Sequence, residues 1–375
     1  MNKFILILAF LVVFSFQGIG LAIDVGMETG VQFDGWKDSE KNSGYQSFIP
    51  LKFSAQMEEF SVSVLTGYAY TFYDPHFGEN DSISHTLDTK LNFSYGILDK
   101  LPFQVLLGLD LNLPTGKTAL TSKMLIQALD PDLVSITKLG EGFNVNPTLT
   151  LAKQWGNWVA GLGVGYLWRG EYDYATDLRN YDAGDIFTTT AEVRYEFSPA
   201  WSARLFGQYA WFGKDEVENH PYYQEGDFYL AGAGLRYSQK TWDTAFTMRY
   251  IFRGRSEFPT QSGDLVNPGH GIHGNEWTGD LLLRYLAGDK TTLWTRLQGL
   301  ILEANDFPSD SFSYVGRRQK ISLEIGGKRV FGEHWEAGLF LRGFTMHDEP
   351  RQCPDVRGER TFNGLSVGGN LTAKF

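Results

Sequence analysis

The 375-residue chain has very little cysteine, no excess of basic charge, and no long apolar run beyond its first residues. Its single cysteine, Cys353, excludes an intramolecular disulfide framework, a cysteine-based zinc site and a haem-attachment motif. The net charge of −11 excludes a protein that binds nucleic acid through a basic surface. Since no further apolar run reaches about 18 residues, a bundle of membrane-spanning helices is excluded as well. What the chain has in excess is glycine, with 42 residues, and aromatic residues, which make up 15%.

The chain begins with a segment typical of an export signal. Lys3 supplies a positive charge, residues 4–16 are apolar, and small residues follow at Gly20 and Ala22. Because signal peptidase recognises such a small-x-small pattern, we expect residues 1–22 to be a signal peptide and residues 23–375 to form one domain. A retained anchor helix is the alternative, but the apolar run is short for a membrane span.

The rest of the chain alternates between apolar and polar residues. In the last segment Leu365, Val367 and Leu371 alternate with polar or small residues, and residues 187–197 and 242–253 show the same pattern. A period of two residues predicts β-strands with one apolar and one polar face. These runs extend for about ten residues, which is long for the strands of a soluble β-sandwich or propeller, the competing folds.

The connections between these strands alternate in length. Short turns are predicted at residues 58–59, 98–102, 156–157, 198–200, 239–241, 288–290 and 332–334. Long polar loops are predicted near residues 36–44, 74–82, 114–143, 170–184, 212–226, 254–274, 304–316 and 347–361. Outer-membrane barrels have short periplasmic turns and long extracellular loops. The pattern therefore predicts an all-β fold, a transmembrane antiparallel β-barrel of about 16 strands in the bacterial outer membrane.

Tryptophans cluster near both kinds of connection, as expected for aromatic belts at the two membrane interfaces. Those that follow short turns are Trp158, Trp201, Trp242 and Trp335, and those near long loops are Trp36, Trp168, Trp211 and Trp277. The chain ends on the aromatic Phe375, which resembles the assembly signal of outer-membrane barrels. We therefore expect lipid, lipopolysaccharide and the barrel-insertion machinery as partners, and no nucleic acid.

If the apolar faces contact lipid, the other faces line the interior and several arginines point into it. The predicted pore-lining residues are Arg194, Arg204, Arg236, Arg249, Arg284, Arg296 and Arg342. A wall of guanidinium groups in a water-filled pore would favour anions and orient carboxylates. In the alternative interpretation these arginines pair with inward acids such as Glu192, Asp243, Asp280 and Glu336, and the charges only line or close the barrel.

The longest predicted loop, residues 114–143, is more apolar than an exposed loop. A spacing near 3.6 across residues 121–129 allows a short helix. A loop of this length and composition is expected to fold inward. In porins, which this strand count resembles, the third loop narrows the lumen. By that resemblance Asp130, Asp132 and Lys138 would face the arginine wall across a constriction. The alternatives are a loop that covers the barrel mouth or one that contacts a neighbouring subunit.

Motifs for catalysis or metal binding are scarce. His270 and His273 lie three residues apart on a glycine-rich loop and could bind a metal. Glu276 follows, but the set lacks a third ligand at the fixed spacing of a known metal site. One G-x-S-x-G match, at residues 364–368, lies inside the last alternating strand, where no strand-to-helix turn exposes Ser366. We therefore predict no catalytic residues, no metal and no cofactor, and a protein that is not an enzyme.

A family resemblance begins at residues 109–117, LDLNLPTGK, where a strand is followed by L-P-T-G. This segment, with residues 146–156, 161–173 and 183–195, resembles the outer-membrane transporter family associated with the MetA pathway of phenol degradation. The likeness covers roughly residues 100–200 and brings no catalytic or ligand residues. It implies an outer-membrane channel for small compounds, aromatic ones included.

Together these features predict a porin-like channel for passive diffusion of small hydrophilic or aromatic solutes, anion-preferring if the arginines face water. The alternative is a non-conducting barrel with a structural or partner-binding role. Porin-like barrels often form homotrimers, and the sequence leaves both a monomer and a trimer open.

Overall fold

The computed structural model describes residues 23–97, 101–121, 124–125, 129–354 and 356–375. The predicted signal peptide lies outside these residues. Of the predicted short helix, the structure describes Thr121, Met124, Leu125 and Leu129, where the N–H of Leu125 donates to the carbonyl of Thr121 over 3.1 Å. Within the described part of the chain, no helix is both long and apolar enough to cross a membrane.

The chain is almost entirely β-structure. The first half contains β1 (Asp24–Asp38), β2 (Ser43–Met57), β3 (Phe60–Asp74), β4 (Asp81–Thr86), β5 (Thr89–Ile97), β6 (Gln104–Leu113), β7 (Asn144–Trp155), β8 (Trp158–Arg169), β9 (Tyr181–Asp182), β10 (Ile186–Glu196) and β11 (Trp201–Phe212). The second half contains β12 (Lys214–Val217), β13 (His220–Gln224), β14 (Phe228–Ser238), β15 (Trp242–Arg253), β16 (Phe258–Pro259), β17 (Leu265–Val266), β18 (Glu276–Leu286), β19 (Thr291–Leu302), β20 (Arg318–Phe331), β21 (Trp335–Asp348) and β22 (Arg360–Lys374).

The main sheet is antiparallel and closes on itself. Phe33 of β1 lies opposite Ser47 of β2 on one side and Val367 of β22 on the other, so the first strand joins the last. β4 and β5 both pair with β3 and together occupy one position in the wall. The 17 strands of this sheet therefore make a closed barrel with 16 strand positions, which confirms the predicted fold class and strand number.

Alternation along each strand separates an apolar outer face from a more polar inner face. Leu205 is 66% exposed and Leu339 71% exposed, and both lie on the outside, where their exposure is to the hydrocarbon of a membrane. On β22 the outer residues Leu365 and Val367 flank Ser366, which faces inward and is buried. The sheet closes because an open edge strand would leave its backbone N–H and C=O groups without hydrogen-bond partners in lipid, whereas in a closed barrel every strand is paired on both sides.

Six of the seven predicted short turns are present between paired strands of the described chain, and residues 98–100 of the seventh, predicted at 98–102, lie outside the described residues. One of the predicted long loops is wrong, because β1 and β2 continue through residues 36–38 and 43–44 and leave a connection of residues 39–42. Asp38 makes this short connection stable, since its carboxylate accepts the N–H of Glu40 at 3.0 Å and of Asn42 at 2.8 Å. Lys41 there has a left-handed φ of 70°.

Seven of the eight tryptophans assigned to belts have exposed side chains on the outer face, near one rim or the other. Trp36 is the exception, and its assignment to a belt was wrong. It lies on an inward position of β1, is buried, and packs against Tyr73 with 6.0 Å between ring centroids and against Phe362 with 5.8 Å. The closeness of Trp36 to a loop correctly indicated that it lies near the rim of the barrel. Whether its side chain points outward or inward is decided by its position in the alternation along β1.

The wall of the barrel is uneven in height. β1, β2 and β3 each have 15 residues and β20, β21 and β22 have 14 or 15, whereas β7 to β19 on the far side have at most 12. The side made by β20–β22 and β1–β4 is called the tall side below. Above the far side the loops form a small sheet of β9, β12 and β13 and a hairpin of β16 and β17.

Candidate channel interior

Residues 114–143, called the inward loop, pack against the inner wall of the tall side. Six loop residues are buried in one cluster with seven wall residues of β1, β3, β4, β21 and β22, all of which face inward. The members from the loop are Leu120, Met124, Leu129, Leu133, Val134 and Leu139, and those from the wall are Trp36, Ala69, Tyr73, Ile83, Phe344, Met346 and Phe362. Burial of each large apolar side chain stabilises this position by about 1.5–3 kcal/mol.

Polar side chains of β1 and β2 hold the loop at residues 135–136. The amide group of Gln46, which is fully buried, accepts the N–H of Ile136 at 2.7 Å and donates to its carbonyl at 2.8 Å. The Asp34 carboxylate accepts the N–H of Ser135 at 3.0 Å, and Gln32 donates to the Ser135 hydroxyl. A side-chain amide that pairs with both the N–H and the carbonyl of one residue replaces the partner that a neighbouring strand would provide.

A buried arginine holds the loop on the other side of the β1–β22 junction. Arg318, at the start of β20, is paired with Asp130 at 3.0 Å and Asp132 at 2.8 Å. Its remaining N–H groups form a bidentate pair with Asp348, at 2.7 Å for each bond. Lys320 also donates to the carbonyl of Asp132. Three carboxylates around one guanidinium make a charge-assisted network with little access to water.

Both ends of the loop are fixed at an irregularity in the wall. The ladder of β3 continues from β4 to β5 across an extra residue at Leu87–Asp88, which is a β-bulge. The buried Asp88 carboxylate there accepts the N–H of Gly116, where the loop begins, and of Glu141, where it ends, each at 2.7 Å. It also accepts Asn112 Nδ2 at 2.7 Å. The P-T-G motif of the sequence therefore lies at this bulge.

We expect Asp88→Asn to lower the free energy of unfolding by about 1–3 kcal/mol, because the amide keeps one acceptor oxygen but turns its NH2 group toward at least one of the three N–H donors and leaves that donor unsatisfied. The measurement is urea unfolding of the refolded protein in detergent. Asp289→Asn, in an exposed periplasmic turn, is the matched control and should leave the unfolding midpoint unchanged. An unchanged midpoint for the Asp88 variant would contradict the assigned role.

The structure places all seven predicted arginines on the inner face, most of them beside acids. Pairs join Arg204 to Glu192 at 3.4 Å and Arg296 to Asp280 at 2.6 Å. The other pairs are Arg194–Glu196 at 3.9 Å, Arg236–Asp243 at 2.7 Å, Arg284–Asp243 at 3.1 Å and Arg342–Asp34 at 3.6 Å. Arg249 differs, since its Nε donates to the Thr278 hydroxyl at 3.2 Å and no carboxylate of the described residues lies within 4.0 Å.

The predicted constriction residues are not grouped around these seven arginines. Asp130 and Asp132 are both bound to Arg318, which was not among the predicted set. Lys138 forms an ion pair with Glu141 at 2.6 Å within the loop. Of the predicted arginines, Arg342 is near the loop, since its partner Asp34 also accepts the N–H of Ser135.

Opposite the inward loop the inner wall is polar. A cavity of about 480 Å³ extends over β7, β8, β10 and β11. Threonine, asparagine and glutamine side chains line much of it, namely Asn146, Thr148, Thr150, Thr188, Thr190 and Gln208. Gly163 and Gly165 also line the cavity, and because they have no side chains they leave its space open. Neutral groups that donate and accept hydrogen bonds suit a surface that contacts water and passing polar solutes.

Tyrosines of the extracellular loops lie above this polar wall. Tyr181 contacts Tyr172 and Tyr174, with ring centroids 5.8 Å and 5.3 Å away, and donates its hydroxyl to the buried Asp215. Burial, followed by the hydrogen bond to Asp215, raises the pKa of Tyr181 above its ordinary value. Burial likewise raises the pKa of Tyr223 to about 12. Both phenols therefore stay neutral hydrogen-bond donors near neutral pH.

Among the residues that the structure describes, no group of three or more His, Cys, Asp or Glu side chains is arranged to hold a metal. His270 and His273 lie on the loop before β18, where the ring of His270 faces Phe307 at 5.0 Å. Ser366 lies inside β22, at 3.1 Å from a guanidinium nitrogen of Arg342.

A closed barrel with an apolar outer face, two aromatic belts and a partly polar interior is an outer-membrane barrel of the channel type, located in the bacterial outer membrane. Residues 12–256 match the family described as the MetA pathway of phenol degradation, and the chain belongs to this family. No curated protein matches the sequence.

The solved structures similar to this chain are outer-membrane proteins at low sequence identity. OccK7 (OpdD) of Pseudomonas aeruginosa is 9% identical, with 94% of this chain and 99% of that chain covered and a TM-score of 0.47. The toluene transporter TodX of P. putida is 11% identical, with 94% and 89% covered and a TM-score of 0.41. The COG4313 outer membrane channel of Pseudomonas putida F1 is 10% identical, with 96% and 98% covered and a TM-score of 0.36.

Proposed function

We propose that this protein is a channel for passive diffusion of small hydrophilic or aromatic solutes across the outer membrane, with a preference for anions. The observation that carries the proposal is the division of the interior. The inward loop occupies the tall side, and the far side carries polar side chains and inward arginines. Solutes would pass along the far side, past Arg249, which forms no ion pair within 4.0 Å with a carboxylate of the described residues.

The test is single-channel conductance of the refolded protein in a planar bilayer under a salt gradient. We expect discrete conductance steps with a reversal potential that indicates anion preference. Arg249→Ala should move the reversal potential toward zero, because it removes from the pore wall a positive charge that is not held in an ion pair, whereas Arg249→Lys keeps the charge and should keep the preference.

Each other outcome has a defined meaning. Cation preference in the unmodified protein would support a channel but contradict the proposal that the arginines determine its ion selectivity. A folded barrel without conductance would overturn diffusion and favour a non-conducting barrel that binds a partner or has a structural role. That alternative is supported by the ion pairs, in which six of the seven arginines contact five carboxylates, Asp243 being shared by Arg236 and Arg284.

The route to the membrane is part of the same proposal. We propose that residues 1–22 are removed as a signal peptide and that the insertion machinery recognises the end of β22. Phe375 fits this role because its side chain is 64% exposed and lies beside His334, with 5.5 Å between ring centroids. A homotrimer remains a proposal, which cross-linking in native membranes would test.

A further inference from the structure

Three side chains of the inner wall form a row across β2, β3 and β5. Lys52 lies opposite Leu65, and Leu65 lies opposite Lys90. Leu65 faces the lumen and is nevertheless 41% exposed. An apolar side chain is thus open to water between two ammonium groups, on a wall whose other apolar residues are covered by the inward loop.

Neither lysine of this row is balanced. No carboxylate of the described residues lies within 4.0 Å of Lys52 or Lys90. Glu28 is the cross-strand neighbour of Lys52, and its carboxylate accepts Asn370 Nδ2 at 3.5 Å. The nearby Asp88 already accepts three N–H groups. The row therefore differs from the predicted arginines, six of which have an acid partner.

One further acid faces the lumen close to Lys90. Asp110 lies opposite Asn92, the next inward residue along β5. It accepts a hydrogen bond from Asn92 and another, at 3.1 Å, from Asn146. It holds these two amides and does not come within 4.0 Å of the Lys90 ammonium, which therefore keeps donors free for a ligand.

A cavity of about 370 Å³ lies between this row and the inward loop. Residues 135–141 of the loop form one side, and β2, β3 and β5 form the other. Its apolar lining consists of Phe48, Pro50, Leu65, Leu87, Ile136 and Leu139. Its charged side chains are Lys90, Lys138, Asp88 and Glu141. Lys138 is paired with Glu141 at 2.6 Å, and Asp88 accepts three N–H groups of the wall and the loop. The size is that of a site for a small organic molecule.

We propose that this cavity is a binding site for an amphipathic monocarboxylate, with the apolar part of the ligand against Leu65, Phe48 and Ile136 and its carboxylate on Lys90. Lys52 adds positive charge on the other side of Leu65. Lys90 is the cation of this lining that has no ion-pair partner among the described residues within 4.0 Å, so its ammonium can donate to one carboxylate of a ligand, and the apolar side chains favour a ligand with a ring or a short alkyl chain. This inference rests on the proposed channel function, because the ligand reaches the site through the lumen.

The test is titration calorimetry of the refolded protein in detergent with benzoate, benzyl alcohol and acetate. Benzoate has both parts that the site recognises, benzyl alcohol lacks the charge, and acetate lacks the ring. We expect benzoate to bind more tightly than either. Lys90→Gln should weaken benzoate binding by about fivefold, which is the effect of losing one partly exposed ion pair, and Lys52→Gln/Lys90→Gln should weaken it further.

Lys328→Gln is the matched control. Lys328 also faces inward, but it is paired with Glu336 at 3.1 Å on β21, away from the cavity. The control should bind benzoate like the unmodified protein, and a gel-shift assay of heat denaturation verifies that each variant is folded. Leu65→Asn, which keeps the branched shape of the side chain and removes the apolar contact, should reduce the advantage of benzoate over acetate.

Equal affinity for benzoate and acetate, or unchanged benzoate affinity in Lys90→Gln, would overturn the site. Conductance of the same preparations separates this result from the channel proposal. A barrel that conducts but does not bind benzoate would overturn the binding site and leave the channel proposal intact. A barrel that binds benzoate through Lys90 and does not conduct keeps the site and overturns the channel.

Discussion

Arg318→Ala is expected to release the inward loop from the barrel wall. Removal of the guanidinium leaves the carboxylates of Asp130, Asp132 and Asp348 close together without their common partner. Breaking a buried ion pair by removing one member costs about 3–5 kcal/mol. Since the side chain of Arg318 is only 14% exposed, little of this cost is recovered by water.

Limited proteolysis measures the release directly. The loop of the variant should be cleaved while the barrel keeps its folded mobility on a gel, and single-channel recordings should show a larger and noisier conductance. Arg317→Ala is a close control, because this neighbouring arginine is 48% exposed and pairs with Glu349 at the rim. Equal protease resistance in both variants would show that Arg318 does not hold the loop.

The second large effect is expected from Gly116→Val. A Cβ atom at Gly116 would overlap the carbonyl oxygen of Leu139 and lie 2.7 Å from the backbone nitrogen of Asp88. Both obstacles are backbone atoms, so the strand bulge or the loop must move. We expect a loss of about 3 kcal/mol or more in the free energy of unfolding, as for a severely overpacked site.

Gly299→Ala is the control for this variant. Gly299 is also a strand glycine, but a Cβ atom there meets nothing within 4 Å, so alanine should be neutral or slightly stabilising. Urea unfolding in detergent gives both values. If valine at position 116 shifted the midpoint no more than alanine at position 299, the close packing of the loop on the bulge would be disproved.

The wall of the barrel could be predicted from the sequence because each strand carries its own signal. Alternation of apolar and polar residues follows from one face in lipid and one face inside, and it requires no knowledge of distant residues. Six short turns of the described chain and the number of strands followed from it. Trp36 was misplaced because its nearness to a loop was given more weight than its register with Phe33 and Val31, which face outward.

The interior could be predicted only in part. The apolar composition of residues 114–143 indicated an inward loop, but its partners come from strands far away in sequence. Gln46, Asp88 and Arg318 were missed for this reason. The bulge at Asp88 did leave a signal in the sequence. The inward-facing residues are odd-numbered before it, at Ile83 and His85, and even-numbered after it, at Lys90 and Asn92, which indicates one extra residue between them. The ion pairs of the arginines depend on strand register, which alternation alone does not give.

The loop contacts on the two sides of the β1–β22 junction set an order for assembly. Asp130 meets Arg318 across 188 residues of sequence, and Ser135 meets Asp34 across 101. Contacts of such separation form late, since the entropy of closing a long chain segment must be overcome first. The full set requires the first and last strands to have joined. Docking of the loop therefore marks the completion of folding. The docked loop also contacts strands on both sides of the β1–β22 junction and so stabilises the barrel against separation of these two strands.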